Sequence, residues 1–432
     1  MELSISHPPA LESSTVEPPP RIAPGIRRAV TRSGTRKTWI GLAMIVFLAL
    51  GTFFRLHPTA TFAQLGYDEH GYMVFLEHIK KAGLANYDLV LRVYMERQYK
   101  RPDALVPATR VGFLAPAYIC GELFHQPPFK ALQITAGIAS TLLLCIVAIF
   151  AYRMGGAIPM LGTTLIVATA PLQIQLAQHT FIDAYFSFWA IAVLWFAWEN
   201  LQRPKHWGWL TAYTLSLVIL VLTKESAAFV VFALLVLFAF NRFVRLGTVT
   251  PHLISATILG PLVAVLFLAS MMGGIGELIG FFQVFVAKHH TNTYAIRAQD
   301  GAWYRYLVDF VLMSPLIIPL ALGRMFNLRR DDRPELAMTV FLAASFLCMS
   351  HVSYGLSLRF AAYWDVPLAW LACSQILRLS RQFARVRPAI IAGGMFLTVA
   401  ASGLRQYDRY FIQHGIYDPI TTWLVRASDL QK

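Results

Sequence analysis

Two adjacent carboxylates, Asp68 and Glu69, open a segment that follows the first long apolar run of the sequence. Behind them, apolar residues recur at the i, i+3, i+4 and i+7 spacing of one helical face, and Gly83 supplies a stop signal. A carboxylate at a helix N-terminus stays ionised at neutral pH and can accept a proton from a hydroxyl group. The alternative is that Asp68 only caps this helix. The predicted apolar face consists of Tyr72, Phe75, Leu76 and Ile79.

Further ionisable residues stand beside other apolar runs of the chain. Asp183 begins one such run, where its simpler role would be that of a helix cap. Lys224 stands at a junction between two runs, where it could pair with Glu225 or reach lipid headgroups. Cations in such places can also neutralise a phosphate leaving group. The candidate phosphate-binding residues are Lys224, Arg297 and Arg359.

The composition indicates a polytopic α-helical membrane protein. Of the 432 residues, 56% are hydrophobic and only 14% are charged, whereas about 25% are charged in a soluble domain. Apolar runs approaching 20 residues recur along the whole length, and such runs span a bilayer as helices. The formal net charge of +14 reflects Lys and Arg at predicted helix ends, so nucleic acid is not an expected partner.

The pattern of runs predicts about eleven transmembrane helices. The basic residues before the first run place the N-terminus in the cytoplasm, and later basic junctions place the C-terminus outside. Two long segments, 57–128 and 273–304, then lie on the outer side, and the carboxylates and cations named above converge there. The predicted spans are 39–56, 130–152, 157–176, 183–201, 207–223, 226–243, 252–272, 305–323, 335–351, 360–377 and 388–404.

The sequence divides into four predicted parts. Residues 1–38 are rich in proline and basic residues and are expected to form a disordered cytoplasmic tail. Residues 39–245 form a catalytic membrane module that includes the outer loop 57–128. Residues 246–404 form a C-terminal transmembrane module with the outer loop 273–304, and residues 405–432 form a tail.

Several nucleotide-binding motifs are missing from the sequence, and their absence narrows the kinds of molecule that could donate a group in a reaction. There is no GxGxxG after a strand, no P-loop, no DxD and no soluble domain that could bind a nucleotide sugar. The four cysteines are scattered and contain no CxxC pair, so neither a disulfide framework nor a zinc site is indicated. A donor bound by this protein is therefore expected to be a lipid.

Five short segments, taken in order and with their predicted sidedness, resemble a family of membrane enzymes. The sequence is similar to glycosyltransferases of the GT-C fold, closest to the group of protein O-mannosyltransferases and bacterial lipid A aminoarabinose transferases (glycosyltransferase family 39-like). The resemblance covers residues 39–245 well and the remainder in outline. The usual paired prolines of the first loop are replaced by Leu114-Ala115-Pro116-Ala117. The segments are Asp68-Glu69, residues 113–118, Tyr152-Arg153, residues 181–184 and residues 223–226.

The resemblance implies an all-α GT-C-like fold and an inverting transfer of a sugar from a polyprenyl phosphate. Asp68 matches the catalytic acidic position, Glu69 its partner and Asp183 the second acidic position. We expect Asp68 to act as general base, while Glu69 and Asp183 position the acceptor or, with Asp68, hold a divalent metal ion. The acceptor would be a glycan, a lipid or a protein, and the setting the inner membrane of a bacterium with the site on its outer face.

Three other classes of protein compete with this interpretation. A transporter or flippase of lipid-linked saccharides would use buried ionisable pairs as a pathway, but repeated halves with broken helices are not visible in the sequence. A polysaccharide polymerase or ligase would carry its large outer loop late in the chain, whereas here the largest comes first. A non-catalytic scaffold would tolerate replacement of Asp68 and Asp183 together.

Overall fold

The computed structural model describes residues 24–57, 66–101, 106–352, 355–382, 387–413 and 418–427, with side chains from Thr38 onward. The described residues divide into two compact units, one up to Ala43 and the other from Met44 onward. The first contains the beginning of the first helix, which starts at Pro24, inside the segment predicted to be a tail; residues 1–23 of that segment lie outside the described residues. The second unit contains the other elements.

The described residues form nineteen α-helices and carry no strand. Two 3-10 segments, Leu84–Asn86 and Leu358–Trp364, and one π segment, Asp408–Gln413, interrupt the series. The α-helices are α1 (Pro24–Leu56), α2 (Tyr67–Ala82), α3 (Tyr87–Lys100), α4 (Val111–Leu123), α5 (Pro128–Gly155), α6 (Ala157–Ala168), α7 (Pro171–Gln178), α8 (Ile182–Gln202), α9 (Trp207–Thr223), α10 (Ala227–Val244), α11 (Pro251–Met272), α12 (Ile275–Thr291), α13 (Thr293–Ala298), α14 (Arg305–Met313), α15 (Ile317–Met325), α16 (Arg333–Met349), α17 (Asp365–Gln382), α18 (Pro388–Tyr407) and α19 (Pro419–Ala427).

The chain is an integral membrane protein, but fewer helices meet the criteria for a span than the sequence predicted. Among the described residues, five helices are long and apolar enough to cross a bilayer, and a sixth span results if the bent pair α6 and α7, which meet at 56°, is counted as one. The predicted span 305–323 is divided between α14 and α15, because Pro315 lacks an N–H group and disfavours helical backbone at Ser314. The total of eleven spans stays a prediction.

Helix α2 ends at the predicted stop and buries three of the four residues of its predicted apolar face, with Phe75 half-buried, but it begins at Tyr67, before the predicted cap. Tyr72, Leu76 and Ile79 are buried against α3 and α4, in an apolar cluster that also includes Phe281 of α12. The helix ends where Gly83 takes a φ of 83°, a conformation that residues with a Cβ rarely adopt. Asp68 and Glu69 are the second and third residues of this helix, and its N-cap is Gly66, so Asp68 does not cap it.

A buried arginine stabilises the bend between α6 and α7. Arg55 of α1 is 1% exposed, and its guanidinium donates to the carbonyls of Val167 and Ala168, at 2.9 and 3.1 Å, where α6 ends. It also donates to Ser140 Oγ at 3.0 Å and to the Gly51 carbonyl at 2.9 Å. Carbonyl groups at a helix end have no partner within the helix, and in a bilayer water cannot replace one.

Replacing Arg55 with methionine should therefore lower the stability of the protein. The carbonyls of Val167 and Ala168 and the hydroxyl of Ser140 would lose their donors, and each unsatisfied buried group costs about 1–3 kcal/mol. We expect a free energy of unfolding lower by about 3 kcal/mol, measured by denaturant titration in detergent micelles. Arg55→Lys keeps the charge but has fewer donors, so its free energy of unfolding should lie between those of wild type and Arg55→Met. A methionine variant as stable as wild type would contradict this explanation.

Candidate active site

Residues from distant parts of the chain line one cavity of about 530 Å³, a volume typical of small-molecule sites. Asp68 comes from α2, Arg110 from the segment before α4, Asp183 from α8, Lys224 from the turn between α9 and α10, and Arg359 from the 3-10 segment before α17. Four ionisable residues that the sequence analysis predicted on one membrane face, Asp68, Asp183, Lys224 and Arg359, thus share one cavity with Arg110.

Asp68 forms an ion pair with Arg359. The Oδ2 atom accepts from Nη2 at 2.5 Å, and the two side chains are 25% and 17% exposed. Burial alone would raise the pKa of Asp68, but the charges of Arg359 and Arg110 outweigh it and lower the pKa below its ordinary value. Asp68 is therefore a carboxylate at neutral pH, as its position near a helix N-terminus predicted.

Glu69 faces away from the cavity, although it is adjacent to Asp68 in sequence. Its Oε1 accepts from the backbone N–H and the hydroxyl of Thr180, at 3.1 and 3.2 Å, and lies 3.0 Å from Nδ1 of His179. Its Oε2 accepts from the N–H of Gly66 at 2.9 Å. Consecutive helical residues point about 100° apart, which separates the two carboxylates. Glu69 therefore joins the start of α2 to the turn before α8.

Asp183 and Lys224 form a second ion pair in the cavity wall. Asp183 Oδ1 lies 2.5 Å from Lys224 Nζ, and the side chains are 2% and 6% exposed. The ammonium group also lies 3.9 Å from the centre of the Phe360 ring. Burial lowers the pKa of Lys224 to about 8, against the charge of Asp183, which raises it. Asp183 is the second residue of α8 and not its N-cap, so the capping alternative does not hold.

A third ion pair connects Arg110 with Glu225, at 3.1 Å. Arg110 also donates to the hydroxyl of Tyr72, the first residue of the apolar face of α2. Burial would raise the pKa of Glu225, but the charge of Arg110 lowers it below its ordinary value. Lys224 and Glu225 do not pair with each other, because each has a partner from another segment. Sequence reasoning missed this pairing, since nothing in either local pattern links residues 115 positions apart.

A second, apolar cavity of about 1060 Å³ adjoins the first and shares Arg110 and Lys224 with it. Its walls come from α9, α10, α11 and α12, and most of its lining side chains are aliphatic or aromatic. Its polar residues include Glu225. The apolar lining residues include Val231, Phe232, Leu235, Val265, Leu278, Ile279, Phe282 and Val286.

Arg297, predicted to bind phosphate, does not line the cavity. Ala295 and Gln299, four residues apart, face the cavity from the region of α13, whereas the Arg297 side chain is exposed. Residues two apart on a helix point about 200° apart, so they cannot share a face. Lys224 and Arg359 are the predicted phosphate ligands that line it.

The three predicted metal ligands do not fit a metal site. Asp68 is paired with Arg359, Asp183 with Lys224, and Glu69 accepts hydrogen bonds on both oxygens while facing away. In the part of the chain that the structure describes, no three residues among His, Cys, Asp and Glu are grouped as metal ligands would be. A divalent ion there would have to displace Lys224 and Arg359 from their carboxylates.

Comparison with solved structures defines the class of fold. No family model and no curated protein matches the sequence. ArnT from Cupriavidus metallidurans bound to undecaprenyl phosphate is similar in structure, with a TM-score of 0.59 and 15% identity over 86% of this chain and 75% of ArnT. The Archaeoglobus fulgidus oligosaccharyltransferase AglB, in complex with an inhibitory peptide and a dolichol-phosphate, gives 0.56 and 12% over 87% of this chain and 56% of AglB.

A further structure of the A. fulgidus oligosaccharyltransferase, with Zn and sulfate, has a TM-score of 0.58 and 14% identity over 85% of this chain and 52% of that one. The chain therefore spans about half the length of the archaeal protein and three quarters of ArnT. At these identities the similarity shows the fold, and it is the all-α GT-C fold that the sequence resemblance implied.

Proposed function

We propose that this protein is an inverting glycosyltransferase that moves a sugar from a polyprenyl-phosphate donor to a hydroxyl acceptor. The observation that carries the proposal is that the polar cavity and the apolar cavity share Arg110 and Lys224 in their walls. An apolar groove that ends at buried cations suits a lipid with a phosphate at one end. The solved relatives bind undecaprenyl phosphate and dolichol-phosphate, which supports the same class of donor here.

In the proposed reaction, an acceptor oxygen attacks the anomeric carbon of the donor sugar while its proton passes to the Asp68 carboxylate. The bond between the anomeric carbon and the phosphate oxygen breaks, and polyprenyl phosphate leaves with both bonding electrons. Lys224 and Arg359 neutralise the charge that develops on the phosphate. Arg359 engages Asp68 through Nη2, and a guanidinium carries further N–H donors, so the same side chain can meet the phosphate while it keeps this pair.

The remaining charged residues have positioning roles in this scheme. Glu69 fixes the N-terminus of α2 against the turn at Thr180 and so sets the direction of Asp68. Asp183 holds the Lys224 ammonium group in the wall. The scheme requires no metal ion: cations engage Asp68 and Asp183, and hydrogen bonds from Gly66 and Thr180 engage Glu69.

The membrane setting of this reaction is inferred from the distribution of basic residues. Lys and Arg are concentrated at the junctions assigned to the cytoplasm, which supports a cavity on the outer face of the membrane. The absence of a nucleotide-sugar motif fits an outer site, where a lipid carrier supplies the sugar. We infer a bacterial inner-membrane protein whose acceptor is a glycan, a lipid or a protein.

Mass spectrometry of lipids that co-purify with the protein in nanodiscs tests the proposal. Wild type should carry polyprenyl phosphate, the product of turnover, and Asp68→Asn should be enriched in the uncleaved sugar-linked lipid. If neither protein carries a lipid of this kind, even after incubation with synthetic polyprenyl phosphate, the proposal fails and transport of another substrate becomes the stronger candidate.

The pH dependence of transfer should have an alkaline limb set by Lys224. Its pKa of about 8 means that the side chain is charged below this pH and loses its charge as the pH rises through 8. We therefore expect kcat/KM, which reports groups of the free enzyme, to fall about tenfold for each pH unit above 8. Rates with saturating acceptor between pH 6 and 10 give this measurement.

Lys224→Arg is the matched variant for this experiment. Arginine keeps the positive charge and does not titrate in this range, so the residual activity of the variant should lose the limb near pH 8. A limb that persists unchanged in Lys224→Arg would assign it to another group.

A further inference from the structure

One wall of the 530 Å³ cavity carries two side-chain amides, Gln299 and Asn292, whose hydrogen-bonding groups are not all used within the described parts of the protein. Gln299, which follows α13, is 7% exposed and lines the cavity. Among the described residues its side-chain amide has no hydrogen-bond partner, and its nitrogen and oxygen are not among the fully buried polar atoms. A ligand in the cavity can therefore hydrogen-bond to this amide, which offers both a donor and an acceptor.

Asn292 adds a second amide to the same wall. Its Oδ1 accepts from the N–H of Ala295 at 3.1 Å and caps α13. Within the described parts of the chain its Nδ2 has no acceptor, and the residue lines the cavity. The wall formed by Gln299 and Asn292, here called the amide wall, therefore offers at least two donors and one acceptor.

Every carboxylate that lines the cavity is engaged by another group of the protein. Asp68 pairs with Arg359 and Asp183 with Lys224. Asp418 accepts from the N–H and hydroxyl of Thr421, at 2.7 and 2.8 Å, and from the hydroxyl of Ser357 at 3.2 Å. The part of the cavity that the structure describes thus has no uncommitted anion for an ammonium group.

We propose, resting on the function proposed above, that the amide wall hydrogen-bonds hydroxyl groups of the transferred sugar and that this sugar is neutral. Amides donate to and accept from hydroxyls, which are the polar groups of a neutral monosaccharide. An amino sugar would bring an ammonium group into a cavity whose carboxylates are already paired. No free carboxylate would then offset the cost of removing this ammonium group from water. The wall thereby selects a neutral hexosyl or pentosyl group over an amino sugar.

Binding of synthetic short-chain lipids to the full-length protein in nanodiscs tests this proposal. The probes are neryl phosphate alone and neryl phosphate linked to glucose, mannose, galactose or glucosamine. We expect wild type to bind at least one neutral conjugate about tenfold more tightly than neryl phosphate, and the glucosamine conjugate no more tightly than neryl phosphate. Gln299→Leu should lose about five- to tenfold for that neutral conjugate and less than twofold for neryl phosphate.

Two further variants keep the test decisive if the leucine variant does not fold. Asn292→Asp retains the oxygen that caps α13 but removes the Nδ2 donor, so it should weaken the neutral conjugate about fivefold. Gln299→Glu keeps the size of the side chain and adds a carboxylate, so it should shift the preference toward glucosamine. Gln126→Leu, outside both cavities, should change no affinity.

The outcomes separate this proposal from the proposed function. Wild type that binds neryl phosphate equally well with and without a neutral sugar would overturn the amide wall while leaving the function intact. Tighter binding of the glucosamine conjugate, or equal losses of neryl phosphate and conjugate in Gln299→Leu, would also overturn it. Wild type that binds none of the five probes would overturn the proposed function itself.

Discussion

Replacing Asp68 with asparagine should lower kcat for sugar transfer by about 10³-fold while leaving the protein folded. General bases of this kind contribute about 10²–10⁴ to a rate, and an amide cannot accept the acceptor's proton. The amide oxygen of asparagine can still accept from Arg359, so the contact between α2 and the 3-10 segment Leu358–Trp364 should persist. The measurement is single-turnover transfer from a synthetic polyprenyl-phosphate sugar.

The competing explanation is that Asp68 only orders Arg359. The two explanations differ in their effect on binding of polyprenyl phosphate. If Asp68 is the base, Asp68→Asn removes a competitor for the Arg359 guanidinium, and phosphate lipids should bind as tightly as to wild type or more tightly. If Asp68 only positions Arg359, affinity and rate should fall together.

Arg359→Gln provides the matched control for this experiment. It removes the cation and leaves the carboxylate, so it should weaken binding of polyprenyl phosphate, whereas Asp68→Asn should not. A variant Asp68→Asn that retains more than a tenth of the wild-type rate would show that another group takes the proton.

The local features of this site are readable from the sequence because they are set by residues close together in the chain. The spacing of Tyr72, Leu76 and Ile79 predicted the buried face of α2, and the helix forms with that face inward. The sequence analysis predicted that Glu69 acts as the partner of Asp68. The rotation of about 100° per helical residue instead directs Glu69 toward Thr180. The same helical periodicity that predicted α2 therefore also explains why the Asp68 and Glu69 carboxylates point in different directions.

The partners of the carboxylates were not predictable in the same way. Asp68 meets Arg359 from 291 positions away, and Asp183 meets Lys224 from 41. The predicted topology could place these residues on one membrane face, but several carboxylates and cations on that face allow many different ion pairs. Which cation meets which carboxylate depends on how the helices pack, and a single sequence carries no signal for that.

The number of transmembrane spans could not be predicted from the apolar runs either. Hydropathy averages over a window and does not register a break such as the one at Pro315, or the 3-10 segment Leu358–Trp364 before α17. Buried residues that satisfy such breaks are polar, as Arg55 is at the end of α6. Polar side chains within apolar runs therefore indicate irregular backbone as well as function.

Lys224→Met should remove both phosphate binding and stability, and the two losses can be measured apart. Loss of a cation that meets the leaving phosphate is expected to lower kcat/KM by about 10²–10³-fold. The same change leaves the Asp183 carboxylate, 2% exposed, without its partner, and an uncompensated buried charge costs about 3–5 kcal/mol. Denaturant titration in micelles should show a loss of this size, which Lys224→Arg should largely avoid.

The double variant Asp183→Asn with Lys224→Met separates structure from chemistry. With the carboxylate neutralised, no charge is left unpaired, so most of the lost stability should return. Transfer should not return, because the Lys224 ammonium group, the proposed phosphate ligand, is still missing. If stability and transfer recover together, the pair serves only to hold α8 against the turn between α9 and α10, and the phosphate must be bound by Arg110 and Arg359.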